Sequence, residues 1–314
     1  MITDVMSHFF PDITNFRFYN AVILQRQCLE HQRKYLEEVI KYRNASQNHK
    51  FRIIYDCDDL FHDIPAANLA KIYFSKENID NMLWIMKSVD ACSFSTPFLK
   101  QYYEKLGVTN TQLIPNAIPK YLWDLPKRQG EPYNKKEIKI LWAGSPSHHG
   151  KNNDTEIIEK VIEKLNRSFG DRIKWIFFGT PPTFFKQDKN MFLVPWKQFF
   201  AYPKTLYKIY ADIGIIPLVT NDFNFAKSDI KLLEFSACGI PTVFSSIGEY
   251  GPYGKAPLVV KNEVNIWVES IVKLIEDPKY YNEIREKQYQ YIQSRWMEGN
   301  IKLWFDFITG QKIS

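Results

Sequence analysis

Positive charge gathers where a helix should begin. The stretch Phe223–Ser246, FNFAKSDIKLLEFSACGIPTVFSS, reads as a loop with two lysines entering a helix, then Gly-Ile-Pro, then a buried strand. A helix start carries unpaired backbone N–H groups and a partial positive charge. Residues 227–230, Asp229 among them, therefore form a ready seat for a diphosphate. Lys227 and Lys231 add full charges there. Glu234 follows about one helical turn on, where a carboxylate can accept from two ribose hydroxyls. The plain alternative is an amphipathic helix with surface Lys and Glu.

A second group of reactive residues lies earlier. Asp56, Asp58 and Asp59 follow a strand in the run YDCDDLF, with Ile64-Pro65 behind them. Three carboxylates in four residues suit a divalent cation or a general base; a loop cap for the next helix is the structural alternative. Ser95-Thr96-Pro97 reads as a helix N-cap with Pro in the first turn. Gly144, in WAGSPSH (Trp142–His148), allows close backbone approach to a ligand.

The elements that must carry these residues alternate almost throughout. Strands are expected at Ala21–Gln25, Phe51–Tyr55, Ala91–Ser95 and Gln112–Ile114, with helices at Gln27–Tyr42, Asn78–Ser88 and Pro97–Leu106 between and after them. After a Pro/Gly-rich break beginning at Pro115, strands follow at Ile138–Trp142, Ile173–Phe178, Met191–Val194, Ile213–Pro217 and Pro241–Ser245. Helices are expected at Asp154–Phe169, Tyr202–Ile209, Ile230–Ala237, Val264–Leu274, Pro278–Trp296 and Asn300–Ile308. Such alternation predicts parallel sheets covered by helices. At 314 residues the chain exceeds what one core usually supports. Two Rossmann-like α/β domains are expected: residues 1–125, a linker at 126–137, a second domain at 138–295, and a C-terminal helix (296–314) returning to the first. Ligands in such sheets sit at the carboxyl ends of the strands, so both sets of ends should face one cleft.

Composition narrows the function. Hydrophobic residues at 45% and charged residues at 24% are ordinary for a globular protein. Aromatics at 16% suit core packing first, and stacking on bases or sugars second. The four cysteines form no CxxC pair or zinc spacing and read as buried free thiols of a reducing compartment. No signal-peptide pattern and no apolar run of roughly 20 residues is visible, so a cytoplasmic protein with no membrane span is expected. Lys and Arg balance Asp and Glu through residue 125; the whole net charge of +6 falls beyond it. That suits a phosphorylated donor bound there, and permits a nucleic-acid partner. No G-x-G-x-x-G follows any strand, which argues against a dinucleotide-dependent dehydrogenase.

The Phe223–Ser246 segment resembles the donor motif of retaining GT-B glycosyltransferases, which carry two Glu eight residues apart ahead of a Gly-x-Pro strand. The second Glu falls on Glu234; the first would fall on Ala226 and is absent. A phage and surface-polysaccharide sub-group shows FN-x-x-KS-x-x-K-x-x-E instead, matched here by Asn224, Lys227, Ser228, Lys231 and Glu234. The resemblance spans roughly residues 20–310. It implies a GT-B fold with a nucleotide-sugar donor, a UDP-sugar being expected, and transfer with retention. Lys227, Lys231, Asp59 and His148 would act in catalysis, and Gly144, Ser145, Gly179, Trp196, Asn224, Ser228, Asp229 and Glu234 would bind the donor. Asp58, Thr96 and Asn116, the last from an I-P-N hinge motif, would lie on the acceptor side. His149 and Lys151 are possible substitutes for His148. No tightly bound cofactor is expected and no divalent metal, because a helix dipole and lysines offset the diphosphate charge.

Ala21–Gln25 matches a middle strand of the family, so the acceptor domain is expected to be reduced by roughly 60 residues, or completed by another chain or a second copy. The leading acceptor is a hydroxymethylated pyrimidine in double-stranded phage DNA. A cell-surface or lipid-linked glycan is the next. A degenerate nucleotide-binding subunit is the non-enzymatic alternative.

Overall fold

The computed structural model describes the chain except residues 1–9, 47–50, 67, 69, 128, 129, 131, 146–153, 252, 253, 255 and 312–314. The residues form two compact units. One holds Met1–His62, Tyr73–Ile114 and Lys302–Ser314; the other holds Asp63–Ile72 and Pro115–Ile301. Both are parallel α/β structures, as the alternation predicts.

In the first unit, strands β1 (Ala21–Gln25), β2 (Arg52–Cys57), β3 (Ala91–Phe94) and β4 (Thr111–Leu113) pair in that order, all parallel. Helices α1 (Glu30–Ala45), α3 (Lys76–Ser88) and α4 (Pro97–Lys105) connect them, with the short α2 (Ala70–Tyr73) ahead of α3. Local chemistry sets the helix starts. The Gln32 carboxamide oxygen accepts from the Cys28 and Leu29 amides before α1. Ser75 caps α3, and Thr96 caps α4 through the Leu99 amide at 3.2 Å. Strand β1 is an edge strand among the described residues, with Ile23 exposed.

The second unit carries α5 (Lys120–Trp123), β5 (Ile138–Gly144), α6 (Glu156–Phe169), β6 (Ile173–Gly179), β7 (Met191–Val194), α7 (Tyr202–Lys208) and β8 (Ile213–Ile216). After these come α8 (Asp222–Phe225), α9 (Ile230–Ala237), β9 (Thr242–Ser245), β10 (Val259–Val260), α10 (Val264–Glu276), α11 (Pro278–Gln293) and α12 (Met297–Thr309), whose last residues belong to the first unit. The strand order is β10-β9-β8-β5-β6-β7. Both faces of this sheet are buried. Ile140, Trp142, Trp175 and Phe177 pack to one side with Trp267 and Ile271; Leu141, Ala143, Ile176 and Phe178 pack to the other with Leu206 and Phe235. The alternation is the two-residue period of a strand, and the continuous apolar runs follow from cover on both faces.

The order reverses between β5 and β8, which pair at Ile140–Ile213 and Leu141–Gly214. This is a topological switch point, where open α/β sheets bind ligands. The loop that leaves β8 leads directly to the cationic segment.

The expected boundary is corrected. Residues 115–125 belong to the second unit, because Ile118 and Trp123 are buried in its core and the Trp123 ring packs edge-on against Tyr202. The expected linker is also anchored to this unit: Lys135 pairs with the buried Asp212, and its carbonyl accepts from Arg172. Pro and Gly there shape a path over the surface without detaching it.

Candidate functional site

The loop after β8 is built as a rigid arch. The Ser245 hydroxyl accepts from the Leu218 amide at 2.8 Å, and Asn262 donates to the Leu218 carbonyl at 2.6 Å. Asp154 then holds the arch from below, accepting from the Val219 amide at 2.7 Å and from the Asn224 carboxamide at 2.8 Å. Asn224 also donates to the Val219 carbonyl and is only 3% exposed. Expected as a donor ligand, Asn224 is instead a brace inside the loop, its amide hydrogens spent on Asp154 and Val219.

Beyond the arch stand the two lysines. The Lys227 ammonium lies 4.5 Å from the centre of the Phe223 ring and has no carboxylate partner among the described residues. Lys231 donates to Glu234 at 2.8 Å and to the Tyr202 hydroxyl at 3.0 Å, and Tyr202 donates to the same Glu234 oxygen at 2.8 Å. These side chains are mostly shielded, Lys231 at 21% and Glu234 at 12% exposure. Burial, reinforced by the Glu234 charge, pushes the Tyr202 phenol well above its ordinary range, so it stays protonated and donates. Both bonds land on Oε2 of Glu234, and neither on Oε1.

The neighbouring strand ends add a wall. Gly144 and Gly179 are register partners at the carboxyl ends of β5 and β6. The Gly144 carbonyl accepts from the Thr180 amide at 3.1 Å. Gly179 has φ +106°, and a Cβ on it would stand 2.4 Å from the Gly144 oxygen and 2.8 Å from the Trp196 indole. Only glycine fits such a position. The Trp196 ring continues into Phe178 and Tyr202, with centroids 6.2 and 6.3 Å away, and remains 46% exposed. Ser145 follows directly after β5 and makes contacts of its own. His148, His149 and Lys151 lie outside the described residues.

Two expected assignments change. Asn116, expected on the acceptor side, donates to the Ser228 hydroxyl at 2.8 Å and so belongs with the donor loop. Asp229, expected to touch the donor, is 2% exposed, and its carboxylate faces Arg295 and Tyr291.

The acidic run of the first unit separates into different roles. Asp56 accepts from Ser93 at 2.7 Å and from Gln25 at 3.0 Å; burial pushes its carboxyl up, those two bonds opposing. Asp58 pairs with Arg26 at 2.9 Å, and Arg26 holds a left-handed backbone, φ 66°, at the end of β1. The Asp59 carbonyl accepts from the Phe61 amide and the Cys57 thiol. Thr96 is the α4 cap. His62, near Tyr102 and Tyr103, meets the Tyr103 hydroxyl at 3.1 Å; burial lowers its pKa to about 4, so it is neutral at pH 7. No cluster of three or more His, Cys, Asp or Glu able to hold a metal forms among the described residues, and none of their helices is long and apolar enough to cross a membrane.

Sequence reasoning missed Tyr202, Asp154, Arg295, Arg26 and His62. All act through partners distant in the chain, and only the Tyr202-Pro203 helix start left a local trace.

Two Rossmann-like units in one chain, with a cationic loop at the switch point of the second, are the make-up of the GT-B fold. Solved structures agree. Sucrose-phosphate synthase from Thermosynechococcus elongatus superposes with a TM-score of 0.59 at 13% identity, over 92% of this chain and 73% of that one. HepE from Anabaena, in complex with UDP-glucose, gives 0.62 at 12% identity, over 93% and 79%. TarM gives 0.63 at 12% identity, over 92% of this chain and 54% of its own. No protein-family model and no curated protein matches the sequence.

Proposed function

We propose that the protein is a glycosyltransferase that moves a sugar from a nucleoside diphosphate to an acceptor hydroxyl. The observation that carries this reading is the shielded Lys231–Glu234–Tyr202 cluster beside Lys227, at the switch point of the second sheet. Lys227, Lys231, the Ser228 hydroxyl and the first amides of α9 would stabilise the leaving diphosphate, the electrostatic contribution that dominates such reactions. Glu234 Oε1 would take a ribose hydroxyl. The Trp196 face beside Gly144 and Gly179 would wall the base. UDP is the nucleotide to try first, since similar folds were solved with UDP-glucose and UDP-2-fluoro-glucose.

Retention of configuration remains part of the proposal, on the motif resemblance. Ala226, where that motif has its first Glu, is fully buried, so the sugar must be read by other groups. For the acceptor, a hydroxymethylated pyrimidine in DNA is supported by the basic surplus beyond residue 125. A lipid-linked or surface glycan is favoured by a different observation. Phe199 and Phe200, 61% and 73% exposed, pack edge to face and lie in the chain between the exposed Lys197 and Lys204, an aromatic and basic segment of the kind that meets membranes.

The test is mass spectrometry of hydroxymethylcytosine DNA and of a lipid-linked sugar acceptor, each incubated with the protein and a panel of nucleotide sugars. A hexose or pentose mass gain on either identifies the acceptor. Nucleotide binding without turnover of any donor would make the chain a binding subunit, and no binding at all would end the proposal.

A further inference from the structure

The chain passes between its units four times, the last two at Ile114–Pro115 and at Ile301–Lys302. Inside the second unit the segments beside those passages are tied together. The Ile118 amide donates to the Arg295 carbonyl at 3.2 Å, the Met297 amide donates to the Ile118 carbonyl at 2.9 Å, and Ile118 and Trp296 form a parallel bridge. The Arg295 guanidinium sits at this junction. It donates to the Asn116 carbonyl at 3.1 and 2.5 Å and forks onto Asp229 at 2.6 and 2.9 Å. Tyr291 donates to Asp229 Oδ2 and accepts from Arg295. Asn116 reaches on to the Ser228 hydroxyl, and Tyr250 donates to the Ser228 carbonyl at 3.2 Å.

Asp229 occupies the N-cap position of α9, yet its side chain makes no capping bond. An Asp there ordinarily turns its carboxylate onto the first amides of its helix. Such a cap would set a negative charge against a diphosphate held there. Arg295 and Tyr291 hold both carboxylate oxygens in the opposite sense.

We infer that Arg295 is a positioning residue that keeps the Asp229 carboxylate, and with it a negative charge, off the start of α9, where the diphosphate of the donor would sit. This rests on the glycosyltransferase reading and adds a residue that the motif does not contain. It also explains why a buried ion pair is present at all, since such pairs contribute little net stability.

The experiment measures UDP binding by calorimetry to the full chain and to R295Q, R295K and the double variant R295Q/D229A. R295Q is expected to bind about tenfold more weakly, the size of one charge-assisted hydrogen bond. R295K should fall between. R295Q/D229A, with no carboxylate left to swing back, should recover most of the affinity; a merely structural arginine would give a double variant no better than the single. If R295Q does not fold, the double variant carries the test, because it buries no unpaired charge: near-normal affinity supports the assignment, and a folded protein that fails to bind overturns it. Equal binding by wild type and R295Q overturns the Arg295 assignment alone, whereas a wild type that binds no nucleotide sinks the functional reading.

Discussion

Tyr202 and Glu234, brought together from α7 and α9, share a 2.8 Å hydrogen bond whose acceptor oxygen also receives the Lys231 ammonium. The phenol therefore orients the carboxylate through one of its two oxygens. Tyr202→Phe removes this bond and the one its hydroxyl accepts from Lys231, while keeping the ring against Phe178 and Trp123. It should cost about 1 kcal/mol of stability and raise the donor KM roughly three- to tenfold. Urea denaturation and initial rates at varied donor check it; an unchanged KM would show that Glu234 needs no such support.

Lys227 has no ion-pair partner among the described residues, so its removal strands no buried acid. Lys227→Ala should fold normally and lower turnover about 10²-fold, as expected for losing one donor to developing charge. Thermal melting beside a donor-hydrolysis or transfer assay separates the two effects. Full activity would remove this lysine from the reaction.

Gly179→Ala tests the wall of the base site. The new methyl meets the Gly144 carbonyl and the Trp196 ring while the backbone keeps a positive φ. Strain and overpacking together should cost roughly 2–4 kcal/mol. Tryptophan fluorescence should shift as the indole is displaced. A variant as stable as wild type would mean the strand end relaxes freely.

Glu249 gives the chain a pH signature. Burial, with the Asp229 charge, pushes its carboxyl up to about 7 against an ordinary 4.5, while Arg295 opposes the shift. Its Oε1 is buried without a hydrogen-bond partner among the described residues. Because the folded-state value is the higher, this group's contribution is fully present below about 4.5 and is lost as pH rises through 7. Glu249→Gln, which carries no charge, should melt increasingly above wild type between pH 5 and 8. Melting curves of the two proteins that run parallel over that range would contradict this.

The amino-acid order by itself determined the alternation of strands and helices, the capped start of α4, and the helix beginning at Ile230 behind a cationic loop. These follow from apolar periodicity and from Ser, Thr, Pro and Gly acting within a few residues, so local pattern suffices. It placed Gly144, Gly179, Lys227, Lys231 and Glu234 on elements that the second unit does gather at one end of its sheet. Tertiary structure alone decided the adjacency of β5 and β8, the anchoring of Trp123 in the second core, and the destinations of the polar side chains. Asn224 turned to Asp154, Asp229 to Arg295 and Asn116 to Ser228. Each partner lies more than sixty residues away in the chain, and a buried polar group takes whichever partner the packed backbone brings within 3 Å, a choice that no local spacing encodes.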